Sequence, residues 1–227
     1  MELFLKHFIS YEGYKNVLRG LLNTLIIAIC GLIIGIIIGS LIAILKVAGT
    51  RNKVAKVFSY LGDAYTGLFR GTPIVVQLMI FHFVVFSTVE IDPLLETVVV
   101  FGLNSGAYVA EIMRGGINSV DIGQLEAGRT LGLSYTTTMV RVVLPQAIKN
   151  VIPTLGNELI ALTKDTSVAG YVATLDLNKA FRAIGAATYD FMIPYLMLAL
   201  VYLIIVIIFT VIIKLVERRL KVNERRR

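Results

Sequence analysis

The residues able to do chemistry in this sequence are polar groups set among apolar ones, and Glu158 is the sharpest of them. It shares a poorly hydrophobic segment with Asn157 and Lys164. Starting at Lys149, a helical rise of ~1.5 Å per residue puts Glu158 roughly 14 Å in, near the centre of a bilayer. A bare carboxylate at that depth is costly, so it must meet a cation or a watery cavity. Asn104 and Tyr108 lie in a second segment with Ser105, Gly106 and Glu111, while Thr72 and Gln77 flank Pro73. Polar groups at membrane depth serve a path for a polar solute or hold helices together. For Glu158 the two readings are contact with a transported group and a structural ion pair with Lys164 or Arg114. Lys164 and Asp165, adjacent and opposite in charge, fit a structural pair.

The second constellation is Glu126-Ala127-Gly128-Arg129-Thr130-Leu131-Gly132, followed by Leu144-Pro145. It is polar enough for water yet lies between strongly apolar segments. Asp121 and Gln124 have the offset of a capping box, with Asp in place of Ser or Thr. The helix they start runs from about Ile122 to Leu131, and Gly132 suits the left-handed position after its end. Ser134 can cap a second helix, Tyr135 to Val143, which Pro145 interrupts. No metal-ligand spacing, Ser-His-Asp grouping or Gly-x-x-x-x-Gly-Lys-Ser/Thr loop occurs in the sequence. No cofactor, metal or enzyme activity is therefore expected. If ATP drives this chain, another chain binds it.

The elements that must position these groups are membrane spans. The chain has 227 residues, 56% hydrophobic and 16% charged; soluble domains carry about 25% charged residues. Mean hydropathy is +0.79. The net charge of +7 points to nucleic acid only on a soluble protein, and here none is expected. Cys30, the single cysteine, lies in an apolar run and reads as packing. Residues 1–19 have no small-residue cleavage site and read as an amphipathic interfacial lead-in, not a signal peptide. Five transmembrane helices are predicted, at about 20–46, 57–86, 97–114, 147–170 and 191–215, with a loop over 115–146. In the first, Gly31, Gly35 and Gly39 share one face and read as a close-packing seam. In the second, Gly71-Thr72-Pro73 breaks or kinks the helix.

Orientation follows from the charges. Lys46, Arg51, Lys53 and Lys56 form a short basic loop without acids, and the tail carries seven basic residues from Lys214 to Arg227. Both read as cytoplasmic. The loop at 87–96, with Glu90, Asp92 and Glu96, reads as external, with His82 as an interface residue beside it. The N-terminus is then outside and the C-terminus inside, and the loop at 115–146 is cytoplasmic.

Taken in order, four motifs resemble one family. Glu126-Ala127-Gly128, three residues to Gly132 and a dozen to Leu144-Pro145 look like the EAA loop of type I permeases from binding-protein-dependent ABC importers. Phe69-Arg70-Gly71-Thr72-Pro73, the run from Ala107 to Gly116 and Lys164-Asp165-Thr166-Ser167 resemble the polar amino-acid, histidine/glutamine-type permeases. Gly128 stands where that family often has a second Ala, which softens the helix by about 1 kcal/mol.

The resemblance implies an all-α integral membrane protein, a single permease domain over 1–227 in a bacterial-type plasma membrane. It implies a second permease subunit, identical or related, two ATPase subunits and an external binding protein. Residues 126–132 then dock on an ATPase subunit. The implied cargo is a polar or basic amino acid such as arginine, lysine, histidine or glutamine, with Asn104, Tyr108, Asn157 and Glu158 as first candidates to touch it. Thr72, Gln77 and Lys164 stand behind them. The competing readings are an autonomous secondary transporter or channel using Glu111, Glu158 and Lys164, and a scaffold, which leaves the intramembrane acids unexplained.

Overall fold

The structure is a computed structural model that describes residues 2–10, 12–49 and 53–225, with side chains over 4–9, 12–47 and 56–220. All described elements are helical. Helix α1 (Glu2–Leu5) passes through a π turn (Lys6–Ser10) before the long α2 (Gly13–Gly49). Then come α3 (Lys53–Gly71) and α4 (Ile74–Ile80), which runs on as a π turn (Phe81–Val85). Helix α5 (Pro93–Asn118) leads to α6 (Ile122–Thr130) and α7 (Tyr135–Thr138). A π turn (Met139–Val143) joins α7 to α8 (Leu144–Asp165), which tightens into a 3₁₀ stretch (Thr166–Val172) before α9 (Leu177–Thr188) and α10 (Met192–Arg225).

Three of these helices are long and apolar enough to cross a membrane: Gly13–Val47, Pro93–Asn118 and Met192–Leu220. A fourth crossing is available if Lys56–Gly71 and Ile74–Val85, bent by 106°, are one broken span. The bend is where Gly71-Thr72-Pro73 interrupts the helix, because proline cannot donate the next backbone hydrogen bond. Along α2, apolar residues such as Ile29, Ile33, Ile37 and Leu41 remain exposed, and α10 does the same with Leu200, Leu203, Ile207 and Val211. Faces of that length left bare in the single chain suit lipid or a partner helix.

The glycine seam packs as its spacing requires. A Cβ on Gly31, Gly35 or Gly39 would lie 3.2 Å from Phe101, 2.6 Å from Ser105 and 2.7 Å from the Ala110 backbone respectively. Numbers rise together on the two helices, so α2 and α5 run parallel. On the α5 side, Gly102 receives Ile34 and Gly106 receives Ile38 in the same way. Helix α8 runs antiparallel to α5: Glu158 meets Ser105, and Val151 fills the space left by Gly116. Two apolar clusters result. One gathers Ile27, Leu78, Phe101 and Leu162; the other gathers Phe4, Val17, Phe181 and Ile205. Helix α9 supplies Leu177, Phe181 and Ile184 to the second, at helical spacing.

Several expectations change at the residue level. The lead-in divides: α1 and its π turn stand alone, while residues 13–19 belong to α2. Lys46 is no loop residue; it lies within α2 with its side chain only 8% exposed. Glu96 is not in an external loop but in the first turn of α5, 2% exposed, beside His82 at 2.9 Å. Helix α5 extends beyond 97–114 at both ends, and Asp92 caps its start, accepting from Leu94 N–H at 2.8 Å. Arg51, the side chain of Lys53, and the basic tail residues Lys221 and Arg225 to Arg227 lie outside the described residues or side chains.

Candidate functional site

Two polar regions emerge, one at the helix break and one in the loop between α5 and α8. At the break, α3 ends on carbonyls that have no helical partner. Gln77, from α4, folds back and donates through Nε2 to Phe69 O (2.8 Å), Thr72 O (3.0 Å) and Thr72 Oγ1 (2.8 Å). Asn104 on α5 completes the net, donating to Gln77 Oε1 at 2.9 Å and to Phe69 O at 3.3 Å. Gln77 and Asn104 are 6% and 5% exposed. Three expected site residues, Thr72, Gln77 and Asn104, are thus brought together, and their hydrogen bonds hold the bend.

One turn from Asn104, Tyr108 is more open, with the Arg70 guanidinium 5.5 Å from its ring centroid. That is cation–π range. Deeper against α5, Tyr65 donates its hydroxyl to the Leu103 carbonyl.

Glu158 accepts a hydrogen bond from Ser105 Oγ at 3.1 Å. Ser105 stands midway along α5 (Pro93–Asn118), so the carboxylate lies against the middle of that helix. Glu158 forms no ion pair among the described residues. Arg114 instead binds Glu111, Nη2 to Oε2 at 2.6 Å, and Lys164 is exposed six positions along α8 from Glu158. Lys164 lines a separate cavity of about 390 Å³ with Ser167, Asn178, Tyr195 and Tyr202. Asn157 is exposed beside Glu158. The structure therefore separates Lys164 from the other expected residues.

The loop region is an ordered hairpin. Asp121 caps α6 by accepting from Gly123 N–H at 2.7 Å. The reciprocal half of a capping box is not made, since the Gln124 side chain faces Gln146 at 3.4 Å. At the other end Gly132 has φ +81°. Its N–H reaches Arg129 O at 3.0 Å while Leu133 N–H reaches Gly128 O at 3.1 Å, the two bonds of a Schellman motif. Ser134 then caps α7, accepting from Thr137 N–H at 3.1 Å.

Two sequence expectations are corrected here. Pro145 does not interrupt the chain: the π turn over Met139–Val143 carries α7 directly into α8, with proline in the first turn, where a missing N–H costs little. Gly128 is not simply a softened alanine. It is buried, and a Cβ there would overlap the Thr138 methyl and come 2.8 Å from its hydroxyl, so glycine lets α6 and α7 cross. Of the expected coupling residues, Glu126, Ala127, Arg129, Thr130, Leu131 and Gly132 are exposed. Leu131 is 80% exposed and Ile122 67%, two apolar side chains bare on a polar hairpin. Behind them is a cleft of about 710 Å³ lined by Ile117, Leu125, Tyr135 and Met139, among others.

The polar contacts missed from sequence are those between distant helices. Lys46, Asp63 and Ser105 gave no periodic signal, because each is one polar residue whose partner is 17 or more positions away.

The chain is similar to known proteins over most of its length. Residues 46–222 match the model of the family described as binding-protein-dependent transport system inner membrane component. The chain is 41% identical over 210 residues to the arginine transport system permease protein ArtQ of Bacillus subtilis (strain 168), covering 92% of this chain and 94% of that protein. It is 38% identical to the putative glutamine transport system permease protein GlnP of Rickettsia prowazekii (strain Madrid E), over 94% of this chain and 96% of that one. Its fold superposes on a solved amino acid ABC transporter with histidines at a TM-score of 0.84 and 34% identity, covering 93% of this chain and 98% of that chain. A solved MetNI methionine ABC transporter in an inward-facing conformation shares the fold at 0.77 and 18% identity. The chain belongs to the family of inner membrane components of binding-protein-dependent transport systems.

Proposed function

We propose that this chain is the permease subunit of an ATP-driven amino-acid importer. The observation that carries the reading is one helix, α8, joining two different sites. Its N-terminal end continues from a capped, exposed hairpin, and further along it holds Glu158 against Ser105, at the middle of α5. The family and its amino-acid permease relatives supply the reaction.

In this reading the chain crosses the plasma membrane five times, with the bent pair α3–α4 as one crossing and α8 as the fourth. The parallel course of α2 and α5 and the reversed course of α8 support that topology. The N-terminus is outside and the α6–α7 hairpin cytoplasmic. Two permease subunits, identical or related, form the pore, and two ATPase subunits grip residues 126–132. An external binding protein delivers a polar or basic amino acid. ATP acts only by favouring one conformation, through contacts that differ between states. Exposed Leu131 and Ile122 give a partner apolar surface to bury, while Glu126 and Arg129 set its polarity.

Glu158, Asn157 and Tyr108 meet the cargo. Asn104, Gln77 and Thr72 hold the bend that shapes the path, and Lys164 serves the outer end of α8. A carboxylate with only a neutral hydroxyl partner has room for a substrate cation, which favours arginine, lysine or histidine. The test is reconstitution of the chain with its ATPase and binding protein in liposomes. ATP-dependent uptake of labelled amino acid is expected, with none from the chain alone under a proton gradient. Proton-driven uptake by the chain alone would favour a secondary transporter and overturn the reading.

A further inference from the structure

Three helices meet on a single ammonium group near the inner end of the bundle. Lys46 Nζ, from α2, lies 2.9 Å from Asp63 Oδ1 on α3, 2.9 Å from Glu111 Oε1 on α5, and 3.2 Å from Thr66 Oγ1 on α3. These three acceptors match the three donors of a lysine. The second oxygen of Glu111 is held by Arg114, through Nε at 3.0 Å and Nη2 at 2.6 Å. Thr66 is itself fixed, its hydroxyl donating to the Gly62 carbonyl at 2.9 Å. Gly62 brings α3 close to α2 here: a Cβ on it would lie 3.1 Å from Ile42 and 3.5 Å from the Lys46 stem. The Lys46 side chain is 8% exposed and that of Glu111 21%, so this arm is largely sheltered from water, while Asp63 keeps its other face in the open at 59%.

The position of this cluster between two moving parts gives it a role. Glu111 is seven residues before the end of α5 at Asn118, and Asp121 caps the hairpin just beyond. Asp63 is eight residues before the break at Gly71. At ~1.5 Å per residue the cluster is roughly 10 Å from the hairpin and 12 Å from the bend. Helix α5 has no covalent link to α3 except through the α4 segment and the loop at 86–92. A rotation of α5 therefore reaches α3, and with it Thr72 and the bend, chiefly through side-chain contacts.

We infer that Lys46 is a positioning residue that pins α3 to α5, so that movement of the α6–α7 hairpin is transmitted to the helix break lining the path. The inference rests on the proposed importer function. The pin stays closed through the cycle and makes the inner ends of α2, α3 and α5 one rigid body. Lys46→Met keeps the stem and removes the charge. Glu111→Gln keeps the Lys46–Asp63 pair and removes one arm.

The experiment uses the full importer complex in liposomes and measures both amino acid taken up and ATP hydrolysed. For both variants ATP hydrolysis is expected to continue, while amino acid moved per ATP falls about tenfold, within the usual range of coupling energies. The double variant should be little worse than Lys46→Met alone, as for residues acting through one contact. An unchanged ratio of uptake to hydrolysis would overturn the inference. So would loss of the assembled complex in both variants, because the cluster would then hold the fold and not transmit movement. Failure of the wild-type complex to import any amino acid under ATP would instead count against the proposed function.

Discussion

Two glycine-containing interruptions divide the work of this chain, and they are built in opposite ways. At Gly132 the helix end is closed by its own backbone, and every group needed lies between Gly128 and Ser134. At Gly71–Pro73 the helix end is closed by side chains from elsewhere: Gln77 from the next helix and Asn104 from α5. The first is closed within one hairpin; the second is completed only when α5 brings Asn104 onto Gln77 and Phe69. A hairpin that keeps its shape while a partner pushes it suits transmission. A bend whose hydrogen bonds span two helices can respond when those helices shift.

Breaking the local side should have the largest effect. Gly132→Pro forces φ to about −65° where the chain needs +81° and removes the N–H that reaches Arg129. The expected result is a chain that still inserts but fails to co-purify with its ATPase and shows no ATP-driven uptake. Normal uptake by this variant would remove the hairpin from the coupling step.

Gly128→Ala tests the crossing of α6 and α7. The added methyl meets Thr138, and overpacking of this kind costs about 1–3 kcal/mol. Combined with Thr138→Ala, most of the lost thermal stability should return, because the atoms in conflict are the Thr138 methyl and hydroxyl. Equal losses in the single and double variants would show that Gly128 matters for another reason.

On the non-local side, Gln77→Leu leaves the Thr72 carbonyl without its donor and the Asn104 amide with only its longer bond to Phe69 O. Each buried unsatisfied group costs about 1–3 kcal/mol. Thermal unfolding of the detergent-solubilised complex should show the loss, and Asn104→Ala added to it should cost less than it does alone. Strict additivity would mean that the two amides do not act as one net.

The smallest effect on the fold, and the most selective, is expected from Glu158→Gln. The side chain keeps its shape and its contact with Ser105 but loses its charge. Uptake of a basic amino acid should weaken more than uptake of a neutral one. Equal effects on both would make Glu158 a structural residue.

The same contrast explains what could be read from the sequence. Asp121, Gly132 and Ser134 announce the hairpin because capping and left-handed turns depend on residue type at fixed offsets. The Gly31-Gly35-Gly39 seam was legible for the same reason. Lys46 was misread because a charge count along the chain registers its sign and not its helical register, which turns it toward Asp63 and Glu111. Pro145 was misread because a wider π turn can absorb a proline that an ideal helix cannot. Thr72, Gln77 and Asn104 stand out in the sequence as candidates for the substrate path, but only the packed helices show that they bond to one another. The role of Gly128 was invisible until Thr138 was placed against it.

The central claim is that the α6–α7 hairpin is where the ATPase grips this chain. The most direct measurement is site-specific cross-linking from Leu131→Cys, 80% exposed at the tip of α6, in a Cys30→Ala background. A short bifunctional reagent applied to the assembled importer should join position 131 to the ATPase subunit, in a yield that changes when ATP is bound. An intact, transport-competent complex in which position 131 never cross-links to the ATPase would contradict the claim.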